Sequence, residues 1–191
     1  MEKAFALFDD YNSKDPNQEE FLGKKYPKEL LYAIRMTDQL NKFAPGAREY
    51  IQLAARSQHI GRWEIPRSSY PMDKKGYLQW RNILKQHHAD IVDKILTECG
   101  YDNNLITIVK SLLLKKQLHT NPDTQLLEDV VCLVFVEYYL DDFAAKHEDE
   151  KVIDILKKTL KKMSARAQKE AGKLVQSARV KKLLEKATAE E

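Results

Sequence analysis

Glu128 and Asp129 sit side by side in TQLLEDVVCLVFVEYYLDDF, residues 124–143, the most apolar stretch of a chain in which 32% of residues are charged. On a helix, the line through Asp129 runs Leu126, Asp129, Leu133, Val136, Leu140 and Phe143, so the acid faces whatever that helix buries. Glu128 is flanked by Val131, Cys132, Phe135 and Tyr139, which makes the helix apolar nearly all round and therefore central. An unpaired ionised carboxylate there costs on the order of several kcal/mol, so a cation, a metal ion or a dense set of hydrogen bonds must offset it.

Two histidines supply matching chemistry. His88 lies in an apolar helical stripe, four residues after Leu84 and three before Ile91; His59 follows Ile51 and Ala55 at four-residue steps. Both point inward, whereas His87 faces away by about 100° and reads as solvent-facing. Two inward imidazoles and one inward acid on three helices form a ligand set for a divalent cation, Mn, Mg, Fe or Zn. In that reading His59, His88 and Asp129 hold the metal ion, and Glu128 orients the bound water or takes its proton.

Between residues 56 and 81 six cations, Arg56, Arg62, Arg67, Lys74, Lys75 and Arg81, stand against two acids, Glu64 and Asp73, interleaved with Trp63, Tyr70, Tyr77 and Trp80. Guanidinium groups beside aromatic rings suit phosphate, nucleotide or RNA recognition, because Arg binds phosphate bidentately and rings stack on bases. Arg56, Arg62, Arg67, Tyr77, Trp80 and Arg81 are the expected substrate-binding residues. The alternative is a non-catalytic RNA- or anion-binding helical module. There His59, His88, Glu128 and Asp129 form a buried polar network with Arg35, Arg56 or Arg62.

The elements that must position these groups are all helical. The expected helices are Pro27 to Phe43, Ala47 to Trp63, Gly76 to Cys99 with Gly100 as its C-cap, a helix through Leu105 to Leu113, a central helix from 124 to 147 capped by Asp123, and Lys151 to Met163. Ile65 to Lys75, with Pro66, Pro71 and two serines, is loop chemistry. No alternating strand pattern stands out. The expectation is an all-α, single-domain helical bundle over residues 1–163, with a C-terminal helical extension over 164–191 that is mildly basic and carries Leu174, Val175, Leu183 and Leu184. A scaffold acting through that last helix is a third functional class.

The bounds agree. A chain of 191 residues suffices for one domain with a real core, and a net charge of +3 does not by itself imply a nucleic-acid binder. Cys99 and Cys132 lie in apolar company with no CxxC, as buried thiols in a reducing compartment do. Acids interrupt the N-terminal MEKAFALFDDYNSKD where a signal peptide needs its apolar run, and Val130 to Val136 is too short to span a bilayer. These features predict a cytoplasmic protein with no membrane partner; they leave the oligomeric state open.

The strings AARSQHIGRWEIPRSSYP, GYLQWR, HHAD and QLLEDVVCLVFVEYYLDDFAAKH resemble an all-helical family that carries a domain-of-unknown-function label, over most of Pro27 to Ser164. Members of it are sometimes labelled glutamyl-tRNA synthetase. His59-Ile60-Gly61 resembles the start of the class I synthetase HIGH motif, and Lys162-Met163-Ser164 the start of KMSKS, with Arg62 and Ala165 as departures. The first motif works at a strand-to-helix turn of a parallel α/β sheet, a context this helical pattern does not supply, so the synthetase label is not carried to function. The chain is also similar to the HD superfamily of metal-dependent phosphohydrolases, helical proteins that bind a divalent ion through His, a His-Asp pair and a distant Asp. That resemblance implies His59, His88 and Asp129 as ligands, with Ala89 standing where the doublet has Asp. The function expected from these residues is a metal-dependent phosphohydrolase acting on a phosphorylated small molecule or nucleotide.

Overall fold

The computed structural model describes residues 1–189, and the fold is all-α. The chain divides into two compact units, Met1–Lys116 and Gln117–Glu191.

The first unit contains α1 (Glu2–Asn12), β1 (Gln18–Phe21), β2 (Lys24–Pro27), α2 (Lys28–Phe43), α3 (Glu49–Arg56), α4 (Lys74–Glu98) and α5 (Asn103–Leu113). Its core gathers Phe8, Met36, Leu40, Leu53, Ile60, Leu96, Leu112 and Leu113, all fully buried. Here α3 packs against α2 and α5, α4 against α5, and α1 lies on α2, α3 and α4. The long α4 is started by Asp73, whose Oδ1 accepts from Gly76 N at 2.6 Å, and α5 by Asp102, which accepts from the backbone of Asn104 and Leu105. Gly100, at φ +81, ends α4 as expected; the Tyr101 N–H reaches back to the Leu96 carbonyl at 3.1 Å.

Three departures from the sequence expectation carry physical reasons. The hairpin β1–β2 was not anticipated. Its strands, QEEF and KKYP, lack apolar alternation, and its turn residues Leu22 and Gly23 take φ +52 and +74, the geometry of a two-residue type I′ turn. Tertiary contacts from α2 hold it, since Arg35 pairs with Glu19 and lies 4.8 Å from the Phe21 ring centroid. Likewise α1 buries Ala4, Phe8 and Asn12 at helical spacing, but Asp9 and Asp10 interrupt the apolar signal. The helix expected to run to Trp63 stops at Arg56: the Ser57 hydroxyl donates to the Leu53 carbonyl at 2.7 Å and the chain turns until Gly61.

The second unit contains α6 (Pro122–Tyr138), α7 (Leu140–Ala145), α8 (Asp149–Leu160), α9 (Ala165–Leu174) and α10 (Ala178–Ala189). Asn121 rather than Asp123 caps α6, accepting from Asp123 N and Thr124 N with Pro122 in the first turn. The central helix is buried nearly all round but breaks at Tyr139 (φ −127°), where nothing in the local sequence marks the kink. The segment after Ser164 is two helices, α9 packed on α6 and α10 on α8, with Val175 and Leu183 buried and Arg179 donating to Asp149 and to the Ala144 and His147 carbonyls. Among the described residues no helix is long and apolar enough to cross a membrane.

Candidate functional site

In the first unit the titratable groups gather where α2 begins. Buried Asp15 accepts from Glu29 N at 3.0 Å through Oδ2, and from Asn17 N and Nδ2 at 2.9 and 2.8 Å through Oδ1, which sets where the helix starts. Glu29 therefore enters on the first turn, along the buried stripe of Tyr32, Ala33, Met36 and Leu40.

The turn after α3 brings His59 to it. Gly61 closes that turn at φ +68, a left-handed conformation that favours glycine; a Cβ there would lie 2.5 Å from the tip of Ile91, which would have to shift. The His59 ring stacks on Tyr32 (4.1 Å between centroids, 13° between planes), with Glu29 Oε2 3.4 Å from its Nδ1. Arg62 Nη1 lies 3.0 Å from Nε2 and 3.2 Å from Nδ1. A guanidinium only donates, so the ring that meets Arg62 is neutral and offers it a lone pair. Arg62 Nε is also 3.9 Å from Glu29 Oε1. From α4, buried His88 donates through Nδ1 to the Ile60 carbonyl at 2.6 Å, which leaves Nε2 with its lone pair. The rings of His59 and His88 are 6.0 Å apart.

Burial governs the protonation states. It pushes the Glu29 carboxyl up to about 7, against the opposing pull of Arg62 and Lys28. Burial also holds His59 well below the usual imidazole range, reinforced by the positive charges of Arg62, Arg81, Lys115 and Lys28. His88 is lowered by burial first and then by His59, with the Ile60 carbonyl opposing. At neutral pH both imidazoles are uncharged and Glu29 is poised between its two forms. Arg62, in contact with both, thus lies beside a neutral ring and a carboxyl that is only part-ionised, and its charge is open to an anion.

Residues 2–184 match the family described as "Domain of unknown function (DUF4202)". The chain belongs to this family. No curated protein and no solved structure matches it. The DUF4202 description names no activity.

In this DUF4202 chain the residues singled out from the sequence fall in both units. Asp129, in the second, has its partners there: Oδ1 accepts from Ser164 N (2.8 Å) and Gln125 Nε2 (2.9 Å), and Oδ2 from Ser164 Oγ (2.6 Å). The carboxylate is thus held at the N-cap of α9 by hydrogen bonds. Glu128 is buried beside it in sequence. In the first unit Arg56 forms a bidentate pair with Asp9 (2.8 and 2.6 Å) and also reaches Thr37 Oγ1, so it ties α3 to α1 and α2. Arg67 donates to the Tyr70, Pro71 and Asp73 carbonyls and so shapes its own loop. Trp80, only 7% exposed, donates from Nε1 to the Ile65 carbonyl at 2.8 Å and anchors that loop, with Arg62 5.1 Å from its ring centroid. Tyr77 is 43% exposed, with Arg81 6.0 Å from its ring centroid. His87 is half-buried rather than solvent-facing, 2.9 Å from Glu64 Oε2.

Donors of the right type for a divalent ion are present in His59, His88 and Glu29. Even so, Arg62 is the cation in contact with His59, and among the described residues no group of three or more His, Cys, Asp or Glu is placed to hold a metal ion. Sequence reasoning missed Glu29, Tyr32, Lys28 and Asp15. The available signal was the spacing of Glu29 with Tyr32, Ala33 and Met36, which puts an acid on the buried face of α2.

Proposed function

We propose that the first unit binds the phosphate of a phosphorylated small molecule or nucleotide against Arg62 and hydrolyses it, with Glu29 as the group that carries the proton. The observation behind this reading is the coincidence, at one place, of Arg62, a neutral His59 and a buried carboxyl whose pKa lies at about 7. Water attacks phosphorus, the ester P–O bond breaks, and the proton lost by water ends on the leaving oxygen. A carboxyl with a pKa near the working pH can both accept and return that proton. Arg62 and Arg81 offset the charge that grows on the phosphoryl oxygens. A divalent cation, Mn, Mg, Fe or Zn, held through His88 Nε2, and through His59 once Arg62 swings to the phosphate, belongs to the same proposal; it would supply Lewis acidity and a more acidic water. A cytoplasmic setting fits two cysteines that are both thiols.

The test is phosphate release from a panel of phosphomonoesters and nucleotides, with and without added Mg²⁺, Mn²⁺ and Zn²⁺, alongside calorimetric binding of inorganic phosphate. Arg62→Ala is expected to lose binding, and Glu29→Gln to bind but not turn over. No binding and no release under any metal condition removes the proposal.

A second reading, an RNA- or anion-binding module, is favoured by the guanidinium groups set against rings: Arg62 and Arg67 at Trp80, and Arg81 at Tyr77. It is distinguished by binding without phosphate release and by affinity that falls steeply with salt.

A further inference from the structure

We infer that the ligand of this site is a nucleoside phosphate whose base stacks on Tyr77; the inference rests on the proposed phosphate site and adds the other end of the molecule. Tyr77 and Trp80 face one another on α4, with ring centroids 6.0 Å apart, yet only one of them is accessible. Trp80 is buried and its indole N–H is committed to Ile65, so it cannot serve as a stacking platform. Tyr77 is 43% exposed and presents a rigid planar surface next to a guanidinium. An aromatic side chain left open on an otherwise amphipathic helix suits a planar ligand, since every base has a face that stacks and an adjacent arginine adds to it.

Trp80 connects the two ends. Arg62 lies 5.1 Å from its ring centroid and the Tyr77 ring 6.0 Å from it, with Arg81 6.0 Å from the Tyr77 centroid. A ligand spanning this row places a phosphate at Arg62 and a planar group at Tyr77. Lys74, three residues before Tyr77 and so on the same side of α4, adds positive charge to that end. A sugar phosphate without a base would use the first half of this arrangement and leave Tyr77 idle.

Calorimetric titration of the full chain with adenosine 5′-monophosphate, ribose 5-phosphate and inorganic phosphate separates the possibilities. The nucleotide is expected to bind at least roughly fivefold more tightly than ribose 5-phosphate, the lower end of what one stacked base contributes. Tyr77→Ala should bring the nucleotide to the ribose 5-phosphate affinity and leave ribose 5-phosphate unchanged, while Tyr77→Trp keeps the difference. Equal affinities in the unmodified protein, or a ratio that survives Tyr77→Ala, overturn the inference while the phosphate site stands. Failure of all three compounds to bind overturns the phosphate site and the inference together.

Discussion

Glutamine in place of Glu29 removes a carboxyl that the fold holds mostly protonated below neutrality. Burial raises its pKa from 4.5 to about 7, and at 1.36 kcal/mol per pH unit that shift corresponds to about 3 kcal/mol. The side chain is only 9% exposed, so solvent screening does little to reduce the figure. The sign follows from proton counting. Below about pH 4.5 both folded and unfolded chains carry the proton and Glu29 is neutral in its effect. Between about 4.5 and 7 the folded chain keeps a proton the unfolded chain has lost, so stability falls as pH rises, and above 7 the full cost remains. His59 and His88 act in the opposite direction, because their lowered pKa values make the unfolded chain the better proton binder below about 6.5. The informative quantity is therefore the difference between the unmodified protein and Glu29→Gln. It should grow with pH from 5 to 8, with the glutamine variant gaining up to about 3 kcal/mol. Urea unfolding followed by tryptophan fluorescence measures it in the first unit, since both tryptophans, Trp63 and Trp80, lie there. A difference that is flat across this range, or that favours the unmodified protein at high pH, would refute the assignment of Glu29 as a buried, near-neutral carboxyl.

Further outcomes follow from the same geometry. Gly61→Ala should destabilise the first unit by about 1–2 kcal/mol, mainly from left-handed strain, and an unchanged thermal midpoint would contradict a left-handed residue at this turn. Asp129→Ala strips the acceptor from Ser164 N and Oγ, at a cost of about 1–3 kcal/mol; hydrogen exchange should quicken at the first turn of α9, and unaltered protection there would count against that cap. Arg62→Ala should let the His59 pKa rise toward its ordinary value while burial keeps it lower, as read by NMR titration; no movement would mean Arg62 is not its partner. Arg56→Ala should weaken folding through the lost Asp9 pair yet leave phosphate affinity unchanged, and a large loss of affinity would return Arg56 to the binding site.

Much of the architecture was legible because helical periodicity is local. The stripe Trp80, Leu84, His88, Ile91 and Ile95 marks α4 and correctly turns His88 inward, and the apolar belt around Glu128 and Asp129 marks α6 as a buried helix. What an inward-facing group meets is not local. Asp129 finds Ser164, 35 residues on, Arg56 finds Asp9, 47 residues back, and His88 finds the Ile60 carbonyl, 28 residues back. None of these partners is at helical spacing, so periodicity could predict that a polar group is buried but not who satisfies it. The hairpin has no local signal either, because QEEF and KKYP carry no apolar alternation and meet α2 through Arg35. Sequence by itself determined the helical class, the buried position of His88 and the acids on α6, and the cationic, aromatic character of residues 56–81. Only the tertiary structure decided that Glu29 stands beside His59 and Arg62. That depends on a tight turn at Gly61 and on a hydrogen bond from Glu29 N to Asp15, 14 residues back, which sets the start of α2; no helical or strand periodicity encodes either.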